Sequence, residues 1–426
     1  SLYNSKLEEL YQKVAALHSK NSMTAPIVTE TELRLTGQFF SYASKVFRGS
    51  DLDAAQLGWF IPRKKINISA LLDSALKNKG EQAAFMVSAN VQYQKLEKYL
   101  TQYQNLKRQH SPELVPPVKQ SLHPGITDPR IRLVKQKLFL LGDLKESDTS
   151  AVFDTALVTA TRNFQQRMGL AVDDIIGNNM IGELNVPIAD RIKQLLINLE
   201  RIRWMPIERA SNFVLVNIPE YKLHVFDSGH QLFDMNVIVG SAANNTVIFS
   251  GKLSYVVFSP YWNLPSSIVR KEVLPAIRRN PNYLSRNHME ITGYSNGIPI
   301  IRQVPGPHNS LGLVKFLFPN NYNIYLHDTP NRNLFSETSR GFSHGCIRIS
   351  EPKKFASYLL RNDSAWNDST IDEAMHLAKE KWVSLQKPVT VYIVYFTAWV
   401  DADGRLNFRK DIYGHDKKME AKLFAD

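Results

Sequence analysis

The 426-residue chain is long enough for about two to four domains of ordinary size, and its 43% hydrophobic residues can fill sizeable cores. Its 52 Lys+Arg against 40 Asp+Glu give +12, which suits a polyanionic neighbour, but no Lys/Arg block reads as a nucleic-acid tail and nucleic acid is not expected as a partner. No run of about 18 apolar residues suggests a membrane span, and the one cysteine excludes an intrachain disulfide or a Cys-rich zinc site.

The chain opens at Ser1 without Met or a secretory leader, which reads as a leader removed or a trimmed start. Residues 1–122 read as mostly helical. Leu2, Leu7, Leu10, Tyr11 and Val14 recur at helical spacing, as do Leu71, Leu72 and Leu76, then Leu96, Tyr99, Leu100 and Leu106. Ser69 and Ser88 are the expected N-caps. Pro116-Pro117 and His123-Pro124-Gly125 mark a linker. A compact helical unit follows to Pro187, with helices expected over 129–141 and 151–168. Phe153, Leu157, Ala160, Phe164 and Met168 form the core stripe of the second. Residues 188–203 read as another helix, ended by Trp204-Met205-Pro206.

From about residue 211 the period changes to that of strands. Phe213-Val-Leu-Val-Asn-Ile-Pro219, Lys222-Leu-His-Val-Phe226, Met235-Asn-Val-Ile-Val-Gly240, Leu253-Ser-Tyr-Val-Val-Phe258 and Asn323-Ile-Tyr-Leu-His327 are short β-branched and aromatic runs. Over 267–290 a helical insertion, Ile268 to Arg279 and then a polar loop, interrupts them. Pro388 to Phe396 reads as a late strand. Asp401-Ala-Asp-Gly404 is a turn signal, with Leu406-Asn407-Phe408 as the returning partner. The fold class is therefore α+β and multidomain: a helical scaffold at 1–126, a small helical domain at 127–187, a linking helix at 188–207, a mainly β domain at 208–415 and a tail at 416–426.

The chemistry centres on Cys346 in Phe342-Ser343-His344-Gly345-Cys346-Ile347-Arg348. Cysteine catalysis needs a thiolate, a base and an oxyanion binder. His344 lies two residues away, a spacing that shares a face if the segment is extended. His327 closes the run Ile324-Tyr325-Leu326 and can meet Cys346 from a neighbouring strand, across the loop from Asn331 to Phe342. A base so placed would stabilise the thiolate. Gly345 gives the backbone room, and nearby N–H groups can form an oxyanion hole. The residues alone leave open that Cys346 is a small buried hydrophobe and His327 a structural polar group.

Ser343-His344-Gly345-Cys346-Ile347-Arg348, with His327 some twenty residues before it, resembles the signature of L,D-transpeptidases with a YkuD-type catalytic domain. Pro260-Tyr-Trp-Asn-Leu-Pro265, Pro305 to Gly312, Phe318-Pro-Asn320, Ala398-Trp-Val400 and Asp411-Ile-Tyr-Gly414 resemble the large Gram-negative, YcbB-like subgroup. Residues 128–187 resemble its small peptidoglycan-binding domain. The resemblance implies Cys346 as nucleophile, His327 as base, the Asp328 carbonyl orienting the imidazole, and His344 and Gly345 beside the oxyanion site. It implies substrate contacts at Tyr325, Trp262 and Asn263, a lid at about 265–310, and a motif arginine, Arg348, whose expected role is chiefly loop bracing. It further implies a periplasmic enzyme without metal or cofactor that forms 3→3 cross-links from peptidoglycan tetrapeptide stems, as donor and acceptor. Carbapenem β-lactams would inhibit it covalently, and wall-synthesis proteins would be further partners. An L,D-carboxypeptidase using water, or a silent wall-binding scaffold, are the alternatives. Three positions depart from the pattern. Ser350 stands where Asn is frequent, and Asp174 and Met180 stand where the helical domain commonly has Gly and Thr, which leaves both glycan binding and a spacer role open for that domain.

Overall fold

The computed structural model describes residues 4–18, 26–63, 66–77, 91–109, 113–146, 148–206 and 212–425. Leu2 and the expected cap Ser88 lie outside the described residues. The N-terminal region is helical, with α1 (Ser5–His18), α2 (Pro26–Arg48), α3 (Ile68–Lys77) and α4 (Val91–Gln109). The cap of α3 is Asn67, whose side chain accepts the Ala70 N–H at 3.0 Å; Ser69 lies inside the first turn. Periodicity overstated the apolar faces here, for Tyr11 and Leu76 stay exposed while Leu96 is fully buried.

The small helical unit contains α5 (Arg130–Leu140), α6 (Thr155–Met168) and α7 (Asn178–Leu184). Asp154 caps α6 by accepting the Leu157 N–H at 2.8 Å, and Gly169 ends it in the left-handed region. The stripe Phe153, Leu157, Ala160, Phe164 and Met168 is buried as expected. Asp174 takes φ +61, a conformation Asp tolerates, and pairs with Arg162 at 2.5 Å; Met180 is core. Next comes α8 (Ile188–Trp204), which packs against α4 and against the end of the β domain. Its buried Asn198 donates to Thr397 Oγ1 at 2.8 Å and accepts the Thr397 N–H at 3.0 Å.

The β domain opens with β1 (Phe213–Asn217), β2 (Lys222–Asp227), β3 (His230–Gly240) and β4 (Ser250–Phe258). The insertion is not simply helical. A helix over 266–279, π-wound at Val269–Val273, lies beside a sheet of β5 (Trp262–Asn263), β6 (Met289–Ser295) and β7 (Ile298–Gln303). β6 and β7 turn at Asn296-Gly297, both at positive φ, an Asn-Gly hairpin signal passed over in favour of a polar loop. Leu264, Val269, Val273 and Ile301 give this insertion, the expected lid, its own small core.

The remaining strands are β8 (Val314–Leu317), β9 (Leu326–His327), β10 (Gly341–Ser343), β11 (Ile347–Ile349) and β12 (Lys381–Val394). Their order is β10-β3-β11-β9-β8-β4-β12-β1-β2, and because β2 also pairs with β3 the row closes into a barrel. Pro388 sits at a register shift in β12, where a missing N–H is tolerated. β14 (Leu406–Phe408) pairs with β13 (Ala398–Val400), not with the late strand as expected. The expected tail is mostly helix, His415–Leu423, tied to α8 by Arg201–Asp416 at 2.5 Å and Lys193–Glu420 at 2.7 Å.

Candidate active site

β11 runs parallel to β9 with Ile347 opposite Leu326 and Arg348 opposite His327, and β8 sets Lys315 opposite His327. Residues facing each other across a ladder share a face. Arg348, His327 and Lys315 therefore form one row, which Cys346 joins from the loop before β11. The strand behind His327 is shorter than expected. Asn323 takes φ +55, and Asn320 binds the Phe318 and Ile324 carbonyls at 2.6 and 2.8 Å, so the approach through Ile324 and Tyr325 is loop.

His327 is 5% exposed, and its Nδ1 donates to the Asp328 carbonyl at 2.6 Å. A carbonyl only accepts, so the Nδ1 proton is fixed there and Nε2 is the basic nitrogen of the neutral ring. Burial, then the Arg348 charge, lowers the imidazole to about 3, outweighing the Asp328 and Leu311 carbonyls that favour protonation. Asp328 is itself anchored. Its carboxylate accepts the Leu313 N–H at 2.9 Å and Arg332 Nη1 at 3.0 Å.

Burial pushes the Cys346 thiol up. The Tyr325 N–H and hydroxyl beside the sulfur, and then Arg348, pull it back toward ionisation. Sγ also lies 3.5 Å from the Asn323 carbonyl. No hydrogen bond joins Sγ to His327 among the described residues, so Tyr325 and Arg348, and not the imidazole, favour the thiolate at rest. The Arg348 guanidinium makes no hydrogen bond or ion pair among the described residues, and its buried Nε has no partner. The bracing expected of it is done elsewhere: Arg332 Nη2 donates to the Ser350 carbonyl, and the Ser350 N–H donates to the Asn236 carbonyl at 3.0 Å.

His344 does not join the thiol. Gly345 at φ +114 breaks the extended geometry that the two-residue spacing assumed, and His344 Nε2 lies 3.4 Å from Glu272 Oε1 on the lid helix. Ser343 shapes the turn, donating to the Cys346 carbonyl at 2.5 Å and accepting the Gly345 N–H at 3.1 Å. Trp262 packs on the core of the insertion, and Asn263 is exposed. Leu311, Arg332 and Glu272 carried no signal beyond lying near quoted motifs.

Residues 211–389 match the family model of the L,D-transpeptidase catalytic domain (YkuD), and residues 2–100 match that of a scaffold domain. A Haemophilus influenzae protein assigned by name to the L,D-transpeptidases is 32% identical over 243 residues, 53% of this chain and 49% of that protein. The chain thus spans about half the length of the curated relative it matches. Among solved structures, an L,D-transpeptidase from Xylanimonas cellulosilytica is 15% identical, covering 66% of this chain and 100% of that one at a TM-score of 0.22. Another from Stackebrandtia nassauensis is 14% identical over 66% and 97%, at 0.27. Likeness to solved structures at these scores carries no weight for this chain. The thiol-bearing loop and its histidine strand both fall within the segment that matches the YkuD L,D-transpeptidase catalytic-domain model, and helices of the N-terminal region fall within the segment that matches the scaffold-domain model.

Proposed function

We propose that this chain is a cysteine-dependent L,D-transpeptidase acting on peptidoglycan stems, with Cys346 as nucleophile and His327 as base. The observation that carries the reading is a thiol on the loop entering β11 beside a sheet face that holds an imidazole with its Nδ1 proton locked to a carbonyl and a guanidinium without a partner among the described residues. In the donor step Sγ attacks the carbonyl between the diamino acid at position three and D-Ala at position four, while His327 Nε2 takes the thiol proton. The C–S bond forms, the C–N bond breaks, and the same proton passes to the departing D-Ala amine. An amine of a second stem then attacks the thioester, the C–N bond forms and the S–C bond breaks, the amine's proton passes through His327 Nε2 to the departing Cys346 thiolate, and a 3→3 cross-link results. Water in place of the amine yields the shortened stem.

Tyr325 and Arg348 are the groups we assign to thiolate and substrate. A desolvated cation without a partner is costly, and a carboxylate of the donor stem would satisfy it. The lid over 265–310, touching the thiol loop through Glu272 and His344, is assigned to cover the bound stem. The substrate puts the enzyme in the periplasm. No helix among the described residues is long and apolar enough to cross a membrane. The 127–187 unit fits a spacer better than a glycan reader, since Asp174 is held by Arg162 and Met180 is core.

The test is intact mass after incubation with disaccharide-tetrapeptide and, separately, with a carbapenem. The wild type is expected to lose D-Ala, form dimers and gain a carbapenem adduct, and Cys346→Ala to do none of these. Product from the Ala variant would remove Cys346 as nucleophile. Shortened stems without dimers would make the enzyme a carboxypeptidase, and no reaction at all would leave a wall-binding scaffold.

A further inference from the structure

Thr246, 99 residues before the thiol loop in sequence, is bonded directly to it. Its side chain is 1% exposed; Oγ1 accepts the Gly240 N–H at 2.9 Å and donates to the Gly345 carbonyl at 2.8 Å. A hydroxyl carries one proton. With a backbone N–H on its acceptor side, that proton is committed to Gly345. Thr246 is held in turn by Tyr413. The Tyr413 hydroxyl donates to the Gly240 carbonyl at 2.5 Å and receives the Thr246 N–H at 3.4 Å, and the Tyr413 N–H donates to the Tyr395 hydroxyl at 2.9 Å. Gly240 leaves no room between them, for a Cβ there would collide with the Asn244 carbonyl and the Thr246 amide.

These bonds set the orientation of the Gly345–Cys346 peptide. A trans peptide points its N–H opposite to its C=O, so fastening the Gly345 carbonyl to Thr246 turns the Cys346 N–H the other way. There it has no hydrogen-bond partner among the described residues, whereas the Gly345 N–H is taken by Ser343 Oγ at 3.1 Å. Gly345 at φ +114 has the freedom to let this peptide turn over, so the orientation needs a tether.

We infer that Thr246 is a positioning residue, whose hydroxyl holds the Gly345–Cys346 peptide so that the Cys346 N–H is presented to the acyl oxygen under attack. The inference rests on the acyl-enzyme reading above. As Sγ bonds to the carbonyl carbon, the C=O π pair moves onto oxygen and the waiting N–H receives it. Such a donor stabilises the transition state without reorienting during the reaction.

Two reactions of the same thiol separate this role from a structural one. Acylation by a carbapenem passes through an oxyanion, whereas alkylation by iodoacetamide displaces iodide without one. Thr246→Val is expected to slow acylation about 10- to 100-fold, to leave the alkylation rate and its pH profile in place, and to be rescued by Thr246→Ser. Equal acylation in Thr246→Val, or parallel slowing of both reactions, overturns the inference. If Thr246→Val fails to melt cooperatively, Tyr413→Phe replaces it, with a smaller but equally selective slowing expected; an absent or unselective effect overturns it too. A wild-type chain that forms no adduct refutes the acyl-enzyme reading, whereas a reactive wild type matched by its variants refutes only the role of Thr246.

Discussion

The Cys346 sulfur sits between opposing effects, burial holding it protonated while Tyr325 and Arg348 draw it toward the thiolate. Removing the Tyr325 hydroxyl takes away a donor to the charged form. Tyr325→Phe should therefore move the alkylation-rate profile to higher pH by about one unit, the worth of a hydrogen bond to an anion; an unmoved profile would place the thiolate's support elsewhere. His327 works differently. Its folded imidazole takes a proton only near pH 3, against 6.5 for the ordinary group. Between those values the unfolded chain binds the extra proton, so folding stability rises with pH across that window and falls as pH drops through 6.5 toward 3. His415, lowered to about 4 chiefly by burial, acts with the same sign. Urea midpoints should thus decline below about pH 6.5, and His327→Gln should flatten the decline by up to ~1.4 kcal/mol per pH unit. An equal slope in the variant would show that the ring is not held neutral. Of this site, the sequence made the residue types legible, since a lone cysteine beside Gly345 and a histidine some twenty residues earlier are local signals. It could not show that Tyr325, and not His327, favours the resting thiolate. Nor could it show that Arg348 has no partner among the described residues, because both depend on which side chains the barrel closure brings together.

Strand and turn geometry fix the histidine more than its own strand does, for β9 is only Leu326–His327. The support comes from the Gly312 turn. Gly312 lies at φ +64, and a Cβ there would collide with the Asp328 carboxylate that holds Leu313 and Arg332. Displacing Asp328 also moves the carbonyl that fixes the His327 tautomer. Gly312→Ala should cost ~1–3 kcal/mol of stability through backbone strain, and should slow turnover at temperatures where the variant is fully folded. Gly404, also at positive φ but with open space about its Cβ, is the control; Gly404→Ala should lose some stability and keep its rate. Equal turnover for the two variants would sever the turn from the site. At this scale the long elements were readable, since α6, α8 and β12 follow periodic apolar runs. The hairpin of the insertion was not, because Ile291, Tyr294 and Ile300 are exposed and only Ile301 and Gln303 on β7 are buried, too few to mark an alternating pattern. Asn296-Gly297 was its one local mark.

At the scale of the whole molecule, long-range contacts join the helical unit, the scaffold and the β domain. Arg167 and Asp143 form a buried ion pair in the helical unit, and the Arg409 guanidinium reaches across to the Arg167 carbonyl at 2.9 Å. From the scaffold, Trp59 bridges to Ile248 and the Phe60 N–H donates to the Ile248 carbonyl at 2.9 Å, two residues past Thr246. Trp59 is 3% exposed, edge-on to Trp204 at 5.7 Å and tilted against Phe396 at 6.1 Å, so it ties α8, the late strand's end and the Thr246 loop together. The scaffold is then part of what holds the thiol loop. Trp59→Ala should destabilise the chain by ~3–5 kcal/mol, as for other buried aromatic truncations. It should also slow carbapenem acylation at temperatures below its melting, because the scaffold segment that bridges to Ile248 loses the ring that seats it on Trp204 and Phe396. Phe164→Ala, an equally buried truncation within the helical unit, separates the effects. It should lower the melting temperature by a comparable amount and leave acylation alone, since its ring packs within the helical unit, beneath Arg167. If the two variants slow acylation alike, the loss follows general stability and the scaffold has no specific hold on the active site.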